Sequence, residues 1–436
     1  MKNVVIIAPD FTPSSYPPAL RARFFAQHLR EFGWNPIVLT TYPENYEWSV
    51  DPENNRLLDP SLEVIRTSAL PIKWTRKMGF GDLGIRTLLP HWCALSRICR
   101  TRRVDVILIS VPPNWPIALG RLAHMRFGIR YILDYNDPIL TQYYWKLPRY
   151  KRPPKWALVY TLYRFLEPFA LKRVDQLIGV DDSYMADLFK NYEWLRGVRA
   201  TPVAFGVEPG DFEYVRQNPR PNPLFTPRDG LFHMSYVGRG GHDMVAALRA
   251  FLTAVQRGRQ KAPEVYERLR IHFVGTTYAP NAEGQYQVLP VAQECGVDDI
   301  VEERPGRVQH LDAIQILLDS DALVLLGSEA PHYTASKIFP YILAAKPLLA
   351  LFHEESRAVK LLEETRAGRA VTFSAARPPL SAVGELEAAL ENLLSAPVGW
   401  CPPTDWEKFE PFTARAVTDR LAKILDSAGS VPVSEV

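Results

Sequence analysis

The chain alternates short, wholly apolar runs with longer stretches in which apolar residues recur every three or four positions. Val4 to Ala8 is the first run, and its length and lack of polar interruptions predict a strand buried on both faces. A loop rich in proline and serine follows from Phe11 to Pro18. From Ala19 to Phe32 the pattern becomes helical, with Leu20, Phe24, Phe25, Leu29 and Phe32 on one stripe and Gly33 placed to end the helix in a left-handed turn. Further strands are predicted at Ile37–Leu39, Val104–Ile109, Tyr131–Leu133 and Asp175–Val180, with a helical segment over Trp115–Phe127. Strands separated by helices predict a parallel, doubly wound sheet, because parallel neighbours need a crossover between them.

Between Glu208 and Gly230 the pattern lapses. Pro209, Pro219, Pro221, Pro223 and Pro227 fall in this stretch, which reads as a linker over 209–230. The plan then restarts. Phe232–Val237 reads as a strand, Gly238-Arg239-Gly240-Gly241 as a tight loop, and Asp243–Arg257 as a helix with Met244, Ala247, Leu248, Phe251 and Val255 inward. Strands at Ile271–Val274, Ala322–Leu326 and Leu348–Leu351 complete it. The expected fold class is α/β, with two doubly wound, Rossmann-like domains, 1–208 and 231–409, facing a cleft. A last helix, Phe412–Leu425, lies in a segment, 410–436, expected to pack back on the first domain. In such sheets ligands sit beyond the carboxyl ends of the strands, so the loops after each strand are the candidate sites.

Composition narrows the classes. A length of 436 residues suits two domains, and 47% apolar with 23% charged residues is the balance of a folded protein. A net charge of +3 argues against a dedicated nucleic-acid binder. Cys93, Cys99, Cys295 and Cys401 show no C-x-x-C spacing, which points away from a disulfide framework or zinc site and toward a reducing, cytoplasmic compartment. No run is long enough for a signal core or a membrane span.

The glycine loop, Gly238 to Gly241, sits between a strand and a helix. Its backbone N–H groups, the helix start and Arg239 would suit a diphosphate, and a plain tight turn is the equal alternative. Ser336 and Lys337 stand at the start of a predicted helix, where the lysine would neutralise a phosphate in the cleft or simply be solvated. In the first domain Asp134-Tyr135-Asn136-Asp137-Pro138 follows a strand, and its carboxylates would orient sugar hydroxyls or transfer protons, or else cap the loop. Ser110 through Pro113 and Asn114 follow another strand. Arg21 and Arg23 near the first helix start are either ligand-facing or its solvated face. His310 and His353 lack metal-ligand spacing, and neither a G-x-S-x-G elbow nor a P-loop is present.

Taken in order, these segments resemble the family-four, retaining glycosyltransferases of the GT-B fold, of the bacterial polysaccharide and glycoconjugate type. Tyr16-Pro17-Pro18 through Arg21 to Leu29, Gly33-Trp34 and Val38-Leu39-Thr40 look like the family's opening loop and helix. Val104-Asp105-Val106 with Pro112-Pro113 does so too. Leu133 to Pro138 is similar to the Asp-Phe-Arg-Asp-Pro-Trp segment of one bacterial branch, and Phe205-Gly206-Val207-Glu208 resembles its Asn-Gly-Val-Asp turn. Tyr236-Val237-Gly238 and Ser336-Lys337 to Lys346-Pro347 resemble the donor-side motifs.

The resemblance implies a nucleotide-sugar donor held by Gly238, Arg239, Gly240, Gly241, Ser336 and Lys337, with a hydroxyl acceptor, a glycan, small molecule or lipid-linked sugar, near Arg21, Pro113, Asn114 and Asp134. Asp137 and Asn136 stand where the family's His-Asp pair does and are the candidate catalytic residues. No metal or other cofactor is expected. The chain departs from the family at Pro340, where a ribose-binding glutamate is usual, and at Ala345, where glycine is usual; Glu329 is the nearest acid upstream. Two other readings stand beside transfer: a binding protein without turnover, and a sugar-nucleotide epimerase or phosphorylase. Finally, 141–173 mixes lysines and arginines with tyrosines and tryptophans against the lone acid Glu167. That mixture fits either contact with an anionic membrane face, making the protein peripheral on the inner leaflet, or a helix packing its aromatics inward.

Overall fold

The computed structural model describes residues 1–47, 50–77, 81–141, 145, 152, 155–277, 286–329 and 336–428. The chain forms two compact units, one of Met1–Gly206 with Ala414–Val436, the other of Val207–Thr413.

The first unit is built on a parallel sheet of seven strands: β1 (Lys2–Ile7), β2 (Trp34–Thr41), β3 (Glu63–Thr67), β4 (Val106–Val111), β5 (Arg130–Tyr135), β6 (Gln176–Gly179) and β7 (Arg199–Pro202), ordered β3-β2-β1-β4-β5-β6-β7. The winding reverses between β1 and β4, where Val4 pairs with Val106 and Ile7 with Ile109. Apolar runs without alternation follow from burial on both faces. Val5, Ile7, Ile107 and Ile109 point into one core, Val4, Ile6, Val106 and Leu108 into the other. The second core is closed by the last helix, Ala414–Ser427, whose Val417, Leu421 and Leu425 cluster with Phe25 of helix Pro17–His28 and with Leu29 just after it.

The second unit repeats the plan with β8 (Phe232–Val237), β9 (Leu269–Val274), β10 (Val301–Arg304), β11 (Ala322–Leu326), β12 (Leu348–His353) and β13 (Arg369–Phe373), ordered β10-β9-β8-β11-β12-β13 and all parallel.

Two expectations are corrected. The stretch 209–230 is not a free linker, because it begins with helix Pro209–Gln217 and lies inside the second unit. Pro209 occupies the first helical position, where its missing N–H is no loss, and the Glu208 carboxylate caps Gly210 N–H at 3.0 Å. Phe212 and Val215 are buried, and Asp211 binds His310 Nε2 at 2.7 Å. The first helix also ends sooner than its stripe suggests. It gives way at Leu29–Phe32 to a tighter turn closed by Gly33 at φ 83°.

Candidate functional site

In the second unit the chemistry gathers where β8 ends. Helix Ile338–Leu343 begins beside it, with Lys337 as its cap and Tyr341 one turn on, on the same face. The Tyr341 hydroxyl accepts from Val237 N–H at 2.6 Å and donates to Val237 C=O at 3.2 Å, which pins the helix start to the strand end. Lys337 Nζ then donates to Tyr236 Oη at 2.5 Å and to Arg239 C=O at 3.1 Å, and lies 4.4 Å from the Tyr236 ring centre. Gly238 makes this approach possible. Its φ is +144°, and a Cβ there would stand 3.0 Å from Lys337 Nζ.

The lysine, expected either to meet a phosphate in the cleft or to be solvated, is folded under the loop. Among the described residues no carboxylate bonds it directly. Desolvation first, then the Arg239 charge, push its ammonium down to about 7, with Asp243 only partly offsetting them. Arg239 forks onto both oxygens of Asp243 at 3.1 Å. Burial works to raise the Asp243 carboxyl, but the Arg239 hydrogen bonds and charge outweigh it and hold it low. The expected cradle of free backbone donors is only partly present. Gly238 N–H and Gly240 N–H are spent on Val274 and Thr276 carbonyls, at 2.8 and 2.9 Å, and Gly241 C=O receives Met244 N–H. Ser336 is exposed at the helix start, while its neighbours His332 to Ala335 lie outside the described residues. Glu329, exposed just past β11, donates its N–H to Asp243 C=O at 3.1 Å. Pro340 lies within the short helix and offers no polar side chain.

In the first unit the structure removes two of the proposed acceptor contacts. Arg21 is fully buried and grips Asp134, with Nε at 2.9 Å from one carboxylate oxygen and Nη2 at 3.0 Å from the other. Its remaining bonds go to the carbonyls of Ala204 and Val203. This buried clamp fastens the first helix to β5 and to the chain after β7, and leaves neither charge for a ligand. Arg23 is buried as well. Pro113 is buried against helix Leu83–Thr101, where a Cβ on Gly84 would meet it at 2.9 Å. Asn114 bonds the Tyr163 hydroxyl.

Asn136 is 7% exposed; its Nδ2 donates to Val111 C=O at 3.0 Å, and its Oδ1 is buried with no partner among the described residues. Asp137 is exposed, and desolvation by its surroundings pushes it up to about 6. Among the described residues no three His, Cys, Asp or Glu side chains converge on a metal-sized site.

Sequence reasoning missed a group at the same end of this sheet. Asp10 follows β1, Glu47 follows β2, and Asp82 caps helix Leu83–Thr101 through Ile85 N–H at 3.2 Å. Asp10 is pushed up to about 7 by burial, then by Glu47 and Asp82. Glu47 is also pushed up to about 7, by desolvation and then by Asp82, against the pull of Arg86. Burial raises Asp82, opposed by the Ile85 and Gly84 N–H groups. Three acids 37 and 35 positions apart carry no local motif, and only the sheet order brings them together.

Two parallel, helix-flanked sheets of seven and six strands define the two-domain GT-B fold. Residues 18–206 match the family described as a glycosyl transferase 4-like domain. Among solved structures, HepE of Anabaena in complex with UDP is similar at 14% identity with a TM-score of 0.58, over 98% of this chain and 100% of that one. A UDP-forming α,α-trehalose-phosphate synthase from Burkholderia xenovorans is similar at 12% identity with a TM-score of 0.60, over 99% and 100%. A glycosyltransferase from Rickettsia africae matches at 11% identity with a TM-score of 0.58, over 98% of each chain. Comparison with curated proteins gives no match.

Proposed function

We propose that this chain is a glycosyltransferase that moves a sugar from a nucleotide-activated donor to a hydroxyl acceptor with retention of configuration. The observation that carries the reading is Lys337, a cation folded over Gly238 at a strand end, desolvated and, among the described residues, without a carboxylate bonded to it. A donor diphosphate would supply the missing negative charge. The match of 18–206 to a glycosyl transferase 4-like domain supports the same reading from the other unit.

In the proposed reaction the bond from the sugar's anomeric carbon to the phosphate oxygen breaks, and the acceptor oxygen bonds the same face of that carbon. The acceptor proton passes to the departing phosphate oxygen. Lys337 and Arg239 stabilise the charge that develops there. Neither a metal nor an enzymic base is required, so chelation with EDTA should leave turnover unchanged. Asp137 would orient the acceptor hydroxyl.

The test is a thermal-shift screen with UDP, GDP, ADP, CMP and dTDP on the wild type and Lys337→Ala. UDP comes first because the HepE structures hold UDP and UDP-glucose. One nucleotide should raise the melting temperature, and the shift should vanish in the variant. A bound nucleotide whose sugar is never transferred to any acceptor would favour a binding protein instead, with Pro340 as the reason. Sugar-nucleotide conversion without an acceptor would favour an epimerase.

A peripheral membrane face belongs to the same proposal. Much of 141–173 lies outside the described residues. Helix Trp156–Leu171 nevertheless exposes Leu158, Phe165 and Phe169, at 51%, 73% and 39%, beside Lys155, Arg164, Lys172 and Arg173. Those apolar side chains point outward, which favours an interface with an anionic bilayer over inward packing. No described helix is long and apolar enough to cross a membrane. Flotation with anionic vesicles should carry the protein up. Phe165→Ser combined with Phe169→Ser should leave it at the bottom, and a wild type that stays down with anionic vesicles refutes this face.

A further inference from the structure

The acids Asp10, Glu47 and Asp82 stand at the carboxyl end of the first unit's sheet, beside the reversal between β1 and β4, where ligands of doubly wound sheets bind. Acids at strand ends often only cap loops, and Asp82 does cap a helix. Asp10 does nothing of the kind. It is 4% exposed, and its Oδ1 is buried without a hydrogen-bond partner among the described residues. A carboxyl removed from water and left unbonded costs about 1–3 kcal/mol or more if ionised, so it persists where something else pays. Glu47, the charged group acting on it most, has a side chain 39% exposed, so the acids are reached from solvent through Glu47.

The surrounding charges do not fill the need. Arg86 lies 4.0 Å from Glu47, but its N–H groups go to Leu70 C=O, Asn45 C=O and Asn45 Oδ1. Arg66 is bound to the carbonyls of Thr41 and Thr12 and to Tyr46 Oη. Arg76 reaches Glu47 only through space. His91, behind Thr41, is driven down to about 4 by burial and is neutral at physiological pH. Tyr46 and Tyr163 carry no charge there. Asp10 is thus faced by two acids, neutral rings and arginines already engaged.

We propose that Asp10, with Glu47 and Asp82, forms an acceptor subsite that recognises a protonated amine, so that the acceptor is an amino sugar or another polyol bearing a primary ammonium. An ammonium brings three donors for the unbonded Asp10 oxygen and its neighbours, and it supplies the positive charge that a hydroxyl cannot. Asn114 and the Tyr163 hydroxyl stand beside the acids as neutral groups for the sugar's hydroxyls. The proposal rests on reading the first unit as the acceptor side.

The test compares amine and hydroxyl pairs on the full chain: glucosamine against glucose, and galactosamine against galactose, by ligand-observed NMR titration at pH 6.5. N-acetylglucosamine and calcium chloride are the controls. At least one amine should bind about tenfold or more tightly than its hydroxyl counterpart, since a hydrogen bond to a charged group outweighs a neutral one by that order. Asp10→Asn keeps the shape of the side chain and should erase the difference. Glu47→Gln, at the part-exposed acid, should reduce it and serves if the first variant folds poorly. Equal affinity within both pairs, a preference that survives Asp10→Asn, or tighter binding of calcium than of any amine overturns the proposal. UDP binding, measured on the same samples, reads the second unit independently. Loss of amine preference with UDP binding intact therefore sinks this subsite alone, while loss of UDP binding in the wild type sinks the transferase reading.

Discussion

At pH 8, binding of a nucleoside diphosphate should draw about one proton from solvent, and Lys337 is the group that takes it. Its free-state value is pushed from the ordinary 10.5 down to about 7. At pH 8 only about one molecule in ten is then protonated, and a diphosphate that restores the ordinary value protonates nearly all, an uptake of about 0.9 proton. At pH 6 the same reasoning gives about 0.1, because the ammonium is already formed. Affinity should fall nearly tenfold per pH unit above 8 and change little below 6.5 on this account. Isothermal calorimetry in buffers of different ionisation enthalpy measures the uptake directly. The terminal phosphate of UDP is ionised at pH 8, so it adds nothing there.

The sign for stability follows from the same shift. Between about 7 and 10.5 the unfolded chain holds more protons than the folded one, so the ligand-free protein gains stability as pH rises through that window. Lys337→Met removes the buried ammonium, flattens this rise and stabilises the free protein at pH 6 by a few kcal/mol at most, while abolishing diphosphate binding. Tight binding at pH 8 without proton uptake, or the same uptake in Lys337→Met, refutes the assignment.

Three further outcomes follow from single positions. Ala345 sits in the left-handed region at φ 56°, so Ala345→Gly should stabilise the protein by about 1 kcal/mol in urea denaturation, and a loss of stability would refute a strain account. Arg21→Met strands the buried Asp134 carboxylate and should cost about 3–5 kcal/mol, most of it recovered in Arg21→Met with Asp134→Leu; a cost under about 1 kcal/mol contradicts a structural clamp. Glu167 is raised to about 7 by burial, against the hydroxyls of Tyr192 and Tyr135 that bond it. Its share of stability is full below its ordinary value of 4.5 and fades as pH rises through about 7, so Glu167→Gln should flatten that decline in thermal melts taken from pH 4.5 to 8.

Much of the fold was legible because a parallel sheet buries its central strands on both faces. Val4–Ala8 and Ala322–Leu326 show as unbroken apolar runs for that reason. The edge strands did not show. Glu63–Thr67 and Val301–Arg304 keep charged residues on a half-open side, and their pattern does not differ from a loop's. Pro209 was read as a breaker although it starts a helix, since a proline at the first helical position looks the same in sequence as one in a linker. For the site, the glycine loop and Lys337 were visible because a strand and a helix flank them within a few residues. The pairing of Arg21 with Asp134 was not, because the partners are 113 positions apart and meet only once the first helix packs over β5.

That difference also separates structural polar groups from functional ones. Arg21 and Asp134 are buried but satisfy each other, and Glu303 is buried but accepts from Thr276 Oγ1 at 2.5 Å and from the N–H groups of Gln287, Val288 and Leu289. Sites of this kind stabilise the fold without any ligand. Lys337 and Asp10 are held where their ionised forms are disfavoured, each at the carboxyl end of its own sheet; Asp243 offsets the first only in part, and among the described residues no group bonds the buried Asp10 Oδ1. A fold retains such a destabilising group where binding recovers the lost energy. Isosteric neutralisation should therefore act in opposite directions on the two kinds of group. Asp10→Asn should leave the free protein as stable or more so and remove a ligand response, whereas Glu303→Gln should lower stability and leave nucleotide binding in place once the protein is folded. A stability loss in Asp10→Asn as large as that in Glu303→Gln would place Asp10 among the structural groups and withdraw the physical basis for an acceptor subsite there.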